Sequence, residues 1–301
     1  MIYSAPAMER SHIAWTTYGP TTLFVLLWSS GGIFSRWGLD HSSAFAFLAL
    51  RFVVALGVLS ALGLYRRRWL PLPGTRIRVA LIGLLMIGSY AICYFLALEH
   101  GITPGVLATM LGVQPILTLV LLERRFRPAR VTGLFLALGG LIAVVYQSIV
   151  LAHFSAIGIA FALGGLASMT AGAILQKSVQ QPPADVLPLQ YGAALLLCAV
   201  FVPFQEFRFE MTAGFLIPLL WLGLVISVIA QLLLYRLIRN GNLVNVTSLF
   251  YLVPVVTAAM DYVFLGNAMR VQTLFGMAAI LLGLALVFRN SPPLSVSSPA
   301  R

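Results

Sequence analysis

Six apolar stretches of this 301-residue chain carry polar or aromatic side chains at helical spacing. Ser227, Gln231 and Tyr235 recur at i, i+4 and i+8, which is one face of a helix. Thr247, Tyr251 and Pro254 follow nearly the same rhythm, with Asn245 and Ser248 beside them. Tyr90 and Tyr94 are four apart; Thr109 and Gln114 share a stretch, as do Ser168 and Thr170. Trp28 directly precedes Ser29 and Ser30. Hydroxyls and amides can hydrogen-bond a solute, and rings can stack on it. Set in hydrocarbon, such groups must face protein or water, because lipid offers them no partner. They line a polar, aromatic cavity, or they join helix to helix.

Charged side chains inside apolar runs are costly, at about 2.5–3.5 kcal/mol near a bilayer centre on insertion scales. Three stand out: Arg51, Asp261 and Glu99. Arg51 suits a substrate carboxylate, or it bonds backbone carbonyls. Asp261 suits a proton or an ammonium group, or it sits structurally near a surface. Glu99 closes an apolar run and is expected in water. Catalytic sets are missing from the sequence. There is no HExxH or GxSxG motif, and His12, His41, His100 and His153 are too scattered for a metal site. Cys93 and Cys198 lie in apolar runs without a CxxC pattern, as small buried hydrophobes do. No enzyme activity, metal or cofactor is expected.

What positions these residues is a membrane bundle. The chain is 60% hydrophobic and 9% charged, far below the roughly 25% charge of soluble domains; its mean hydropathy is +0.97. The net charge of +11 resides in short loops, where it orients a membrane protein and meets anionic lipid. Nucleic acid is therefore not an expected partner, and no obligate protein partner is evident. The irregular, polar first residues do not read as a cleavable signal peptide.

Runs long enough to span a bilayer fall at 19–38, 43–65, 77–98, 103–122, 131–149, 155–176, 185–204, 213–235, 243–265 and 271–288. The tail 290–301, rich in Ser and Pro, is expected to be disordered, and 1–18 to be a cytoplasmic segment. With the N-terminus inside, 15 of the 19 Lys and Arg fall in inside segments and three outside, with Arg51 in a helix. That bias places both termini in the cytoplasm.

Shifted by about 140 residues, the chain matches itself. Glu99-His100-Gly101 falls on Arg239-Asn240-Gly241, Pro115 on Pro254, and 133–145 near 276–287. The expected fold is thus an all-α membrane protein of ten transmembrane helices, built as two inverted five-helix repeats, 19–149 and 150–289. An odd number of helices inverts the second copy, the arrangement by which transporters rock about a midplane site. Pro115 and Pro254, in mid-helix, are the expected hinges.

Several short motifs in the same order resemble the drug/metabolite transporter superfamily. They are Trp28-Ser29-Ser30-Gly31-Gly32, Leu50-Arg51-Phe52, the run Tyr94 to Leu98, and the two mid-helix prolines. Within it the chain is most similar to the EamA-type ten-helix exporters, in particular those for aromatic amino acids. That resemblance implies a multi-pass protein of a bacterial inner membrane that exports small metabolites. The family's Gly-Glu pair after the second proline is replaced here by Gly266-Asn267, and Glu123 follows Pro115 by only eight residues, so the fourth helix is one turn short. Charge narrows the solute. Arg51 is nearly alone, which argues against phosphorylated substrates, and no acid precedes Asp40 in the first helix, which argues against proton-coupled cation export. A neutral or zwitterionic metabolite remains, an amino acid first, a purine or carboxylate as the alternative. The expected binding residues are Trp28, Ser29, Ser30, Arg51, Tyr90, Tyr94, Thr109, Gln114, Thr170, Gln231, Tyr235, Asn245 and Tyr251.

Overall fold

The computed structural model describes the backbone of residues 7–123, 127–150, 155–265 and 270–289; side chains at 7–18, 148 and 261–265 lie outside the described set. So do Gly266-Asn267 and the 290–301 tail. Among the described residues the architecture is entirely helical, save an isolated bridge between Ser42 and Phe209. The long segments are α1 (Ala7–Leu39), α2 (Ala44–Tyr65), α3 (Arg76–Glu99), α4 (Pro104–Leu122), α5 (Pro128–Val144), α6 (Ala156–Lys177), α7 (Pro183–Phe204), α8 (Ala213–Asn240), α9 (243–265) and α10 (Val271–Phe288). A helical turn, Tyr146–Val150, follows α5. Among the described residues, eight of these segments, α2–α4 and α6–α10, are long and apolar enough to cross a membrane. Large apolar side chains stand on the outer surface, such as Leu196 (70% exposed) and Phe275 (72%). In water that would be a liability; in lipid it is the solvated state.

Local signals start the helices where loops meet the bilayer. Pro104, Pro128 and Pro183 occupy first positions, where a missing N–H costs nothing. The Thr103, Ser155 and Asn242 side chains accept from the backbone N–H groups of Val106, Gly158 and Asn245. Helix α1 begins well before the expected residue 19, and α8 runs five residues past the expected 235.

The inverted repeat is visible in the pairing of α5 with α10. Gly133 faces Gly283, and Gly140 faces Gly276, so the two helices run antiparallel. A Cβ on Gly140 would lie 2.6 Å from the Gly276 carbonyl oxygen, and one on Gly276 would lie 2.6 Å from that of Gly140. Only glycine allows so close an approach. The same symmetry marks α3 and α8. Each contains a π-helical stretch, Leu84–Ser89 and Trp221–Ala230, the second overlapping the first shifted by 139 residues. Helices α4 and α9 each break just before their prolines, at Gly112-Val113 and in the 3-10 turn Leu249–Tyr251. Proline lacks an N–H and crowds the carbonyl four residues back, which favours a break in the turn before it. Helix α4 ends seven residues after Pro115 and α9 eleven after Pro254, so α4 is shorter by one turn, as the spacing of Glu123 predicts.

Contacts sort the loops into two ends. At one, Arg66 pairs with Asp185 (3.3 Å), and the Leu72 N–H donates to Gln181 (2.8 Å). There too, Lys177 Nζ donates to the carbonyls of Ile238, Arg239 and Gly241 at 2.9, 2.9 and 2.6 Å. Arg130 joins Glu123, Asn242 and Asn245 at the same end. At the other end the Ser43 N–H donates to the Arg208 carbonyl (2.8 Å) and the Glu210 N–H to that of His41 (3.0 Å). The first end holds the loops that carry most of the basic residues.

Candidate substrate cavity

A cavity of about 1010 Å³ runs between the halves. It reaches the less basic end, where α1 finishes at Arg36, Trp37 and Asp40 and α4 starts at Pro104 and Gly105. Toward the basic end its lining stops at Gln114, Gln231 and Phe250.

Helix α1 forms one wall and runs unbroken through Gly31-Gly32. Its serine hydroxyls turn back onto the helix, Ser29 to the Val25 carbonyl (2.6 Å) and Ser30 to that of Leu27 (2.7 Å). Ser30 also accepts the Trp221 indole N–H (2.8 Å), and Trp221 stacks on Phe34 with centroids 5.1 Å apart. Lower down, Phe24, Trp28 and Phe250 pack as an aromatic cluster with centroids 5.2 to 5.7 Å apart. Trp28 and Phe250 floor the cavity, and the fully buried Phe24 backs them.

Opposite, Arg51 extends from α2. Its Nε donates to Ser227 Oγ at 2.9 Å, so the π-helical stretch of α8 supplies its anchor. Tyr90, Tyr94 and Tyr191 lie within electrostatic reach of the guanidinium. The Tyr94 hydroxyl crosses toward α1, 3.6 Å from where a Cβ on Gly32 would stand. Among the described residues no carboxylate forms an ion pair with Arg51. The Asp261 side chain lies outside the described set.

Of the residues expected to bind, Trp28, Ser29, Ser30, Arg51, Tyr90, Tyr94, Gln114 and Gln231 line this one cavity, together with Pro254. The others stand elsewhere. Thr109 and Thr170 bond the carbonyls of Gly105 and Leu166 on their own helices. Tyr235 is fully buried in the core. Asn245 accepts from Arg130 at 2.7 Å. Pro115 is buried in α4. Tyr251 donates to the Gly112 carbonyl at 2.6 Å. That carbonyl is free because Pro115 has no N–H and the Ile116 N–H turns to Val113 instead. The tyrosine of one repeat thus seals the break in the other. Glu99 is exposed, as expected. None of the expected binding residues lies on α7, where Tyr191 both lines the cavity and packs on Phe52 (5.9 Å). Its signal was a lone Gln190-Tyr191 pair inside an apolar run.

Among the described residues no cluster of three His, Cys, Asp or Glu could hold a metal.

Comparison with known proteins agrees with this geometry. The model of the EamA-like transporter family matches the chain twice, over residues 21–146 and 156–289. The "Uncharacterized transporter YvbV" of Bacillus subtilis is 24% identical over 275 residues, 89% of this chain and 90% of that protein. A protein of Salmonella typhimurium named "Probable amino-acid metabolite efflux pump" is 24% identical over 283 residues, 87% of this chain and 91% of that protein. One solved crystal structure superposes with a TM-score of 0.72 at 20% identity, covering 92% of this chain and 98% of that one.

Proposed function

Because the chain belongs to the EamA-like transporter family, we propose that it exports small neutral or zwitterionic metabolites, aromatic and other amino acids first, by alternating access at the central cavity. In this reading α1 and α5 cross the membrane with the other eight helices, giving ten spans. The repeats are 19–149 and 150–289, and both termini lie in the cytoplasm of a bacterium, beside the basic loops.

The observation that carries the substrate reading is Arg51, anchored on Ser227 at 2.9 Å and facing a ring-lined cavity. A guanidinium in such a place binds a carboxylate well, because both are shielded from water. Trp28, Phe250 and the tyrosines offer faces for a ring. The named function of the Salmonella relative points the same way. Purified protein in liposomes is expected to move radiolabelled Phe or Trp, and Arg51→Gln to reduce that flux at least about tenfold, the loss of a charge-assisted bond. No flux above empty vesicles for any amino acid would overturn the substrate reading and leave the fold intact.

A further inference from the structure

Helix α2 runs into three consecutive arginines, and the middle one stands in a conformation that its side chain disfavours. Arg67 has a φ of 54°, in the left-handed region. Its N–H donates to the Leu64 carbonyl (3.0 Å), and the Arg68 N–H donates to that of Gly63 (2.9 Å). This pair of bonds closes a helix through a left-handed residue, a place that glycine fills without strain. Helix α3 ends in the same way with glycine there. Gly101 has a φ of 86°, its N–H donates to Leu98 (3.1 Å), and the Ile102 N–H donates to Ala97 (3.0 Å). Among the described residues Arg67 is the only one other than glycine with a positive φ. A strained backbone kept in place calls for a compensating use of the side chain. The helix dipole favours a cation here, but Arg66 and Arg68 already supply two.

The turn that follows is held in place by its neighbours. Gly63 sits against Trp69, so that an added Cβ would lie 2.6 Å from the Trp69 Cβ and 2.9 Å from its Cα. Gln181 accepts the Leu72 N–H at 2.8 Å and donates to Thr75 Oγ1 at 2.9 Å. Arg66 pairs with Asp185, Arg76 Nε donates to the Pro71 carbonyl (3.3 Å), and Arg78 donates to Ser178. Arg67 and Arg68 are exposed, and among the described residues neither forms an ion pair with a carboxylate. Beside them stand exposed apolar groups, Trp69, Leu70, Leu72 (63%) and Ile77 (79%). Arginines mixed with an indole and aliphatic side chains, at the end of a membrane helix, match the chemistry of a bilayer interface. The apolar groups enter the boundary between headgroups and acyl chains, and the guanidiniums meet phosphates.

We propose that the α2–α3 turn, residues 66–78, is a docking surface for anionic phospholipid. Arg67 and Arg68 bind lipid phosphodiesters through their forked donors, and Trp69, Leu72 and Ile77 lie among the upper acyl groups. Charge complementarity selects this occupant: five of the 13 residues are arginine and none is acidic. A soluble anion would engage the arginines and leave the apolar side chains uncovered. Near an anionic surface each such arginine strengthens attachment about fivefold. Because the turn is already fixed, little backbone freedom is lost when lipid binds. This surface is independent of which solute the cavity takes.

The test takes the intact purified protein in neutral detergent and follows its melting temperature. Phosphatidylglycerol, phosphatidylcholine, inorganic phosphate and a polyglutamate peptide are added separately. Phosphatidylglycerol is expected to raise the melting temperature by several degrees more than phosphatidylcholine, and neither phosphate nor the peptide to reproduce that increment. Arg67→Gly relieves the left-handed strain and removes the charge. It should melt about 1–3 °C above the wild type in phosphatidylcholine and lose roughly half or more of the phosphatidylglycerol increment. Arg68→Gln, which leaves the backbone alone, should also lose part of the increment, and Arg208→Gln at the other end of the molecule should keep all of it. Equal stabilisation by the two lipids would overturn the proposal, as would a wild-type response of both Arg67→Gly and Arg68→Gln. So would a loss in Arg208→Gln as large as that in Arg68→Gln, or a melting temperature of Arg67→Gly below the wild type in phosphatidylcholine, which would make the arginine structural. An increment reproduced by phosphate or by polyglutamate would overturn it too, and would assign the arginines to a soluble anion or to an acidic protein segment.

Discussion

At the scale of single residues, two of the contacts that tie the repeats together beside the cavity have different energetics. The Arg51–Ser227 bond is charge-assisted, and its loss is felt by the ligand rather than by the fold. Ser227→Ala is expected to raise the half-saturating concentration of a carboxylate substrate several-fold and leave thermal stability nearly unchanged, a split that transport kinetics and melting curves read separately. The Tyr251–Gly112 bond is neutral and buried. Tyr251→Phe strands a carbonyl that has no helical partner, at a cost of about 1–3 kcal/mol. The expected result is a lower melting temperature in detergent with substrate affinity retained. The sequence marked both residues as polar features in apolar runs, and periodicity alone could not separate a cavity group from one that repairs a helix break. For Tyr251 the difference lies in the contact with Gly112, which belongs to the other repeat and is 139 positions away.

Elements carry the symmetry. The glycines of α5 and α10 set how close the repeats can come, and they allow a test with its own control. Gly140→Ala places a methyl 2.6 Å from a backbone oxygen and is expected to destabilise by about 1–3 kcal/mol or more. Gly139→Ala, one position away with nothing within 4 Å, should be neutral or slightly stabilising, since alanine is the better helix former by about 0.8–1 kcal/mol. Unfolding of the two variants side by side decides the matter. Helix locations were legible because a run of about 20 apolar residues has few alternatives. The face of α8 was less so. Spacing of i, i+4 and i+8 presumes an α-helix, and the π-helical stretch Trp221–Ala230 ends where Gln231 begins. Ser227 and Gln231 meet the cavity region while Tyr235 turns into the core. An i→i+5 segment shifts the phase of all that follows, and no residue type in Trp221–Ala230 announces it. Helix α7 shows a different blindness: a single ring such as Tyr191 has no period to read.

Considered whole, the molecule is open at one end and closed at the other. At the closed, basic end Arg130 binds Glu123 just after α4 and both Asn242 and Asn245 at the start of α9, and Lys177 caps the last carbonyls of α8. The bonds from Arg130 to Asn242 and Asn245 join the repeats, so moving the cavity to that side must break them. Glu123→Gln keeps the shape and removes the charge. It is expected to increase labelling of an engineered cysteine at Gln114, from the basic side, by several-fold. Orientation can be tested independently: reagents confined to the cytoplasmic side should modify cysteines placed at Arg76, and those confined to the outside should modify cysteines at Glu210.

The extra turn of α9 has a quantitative consequence for the cycle. Were the repeats identical, the two orientations of the cavity would be mirror partners of equal energy, and substrate would bind equally well from either face. The mismatch between α4 and α9 removes that degeneracy, and the Arg130 cluster has only Thr273 at the position 143 residues on. Under the proposed alternating access, an empty carrier is therefore expected to rest mostly in one orientation. Apparent affinity from the other face is reduced by the fraction of molecules that present the site there, about tenfold for each 1.4 kcal/mol of bias. Two faces of one site will report two different half-saturation constants, and their ratio measures how far the halves have diverged.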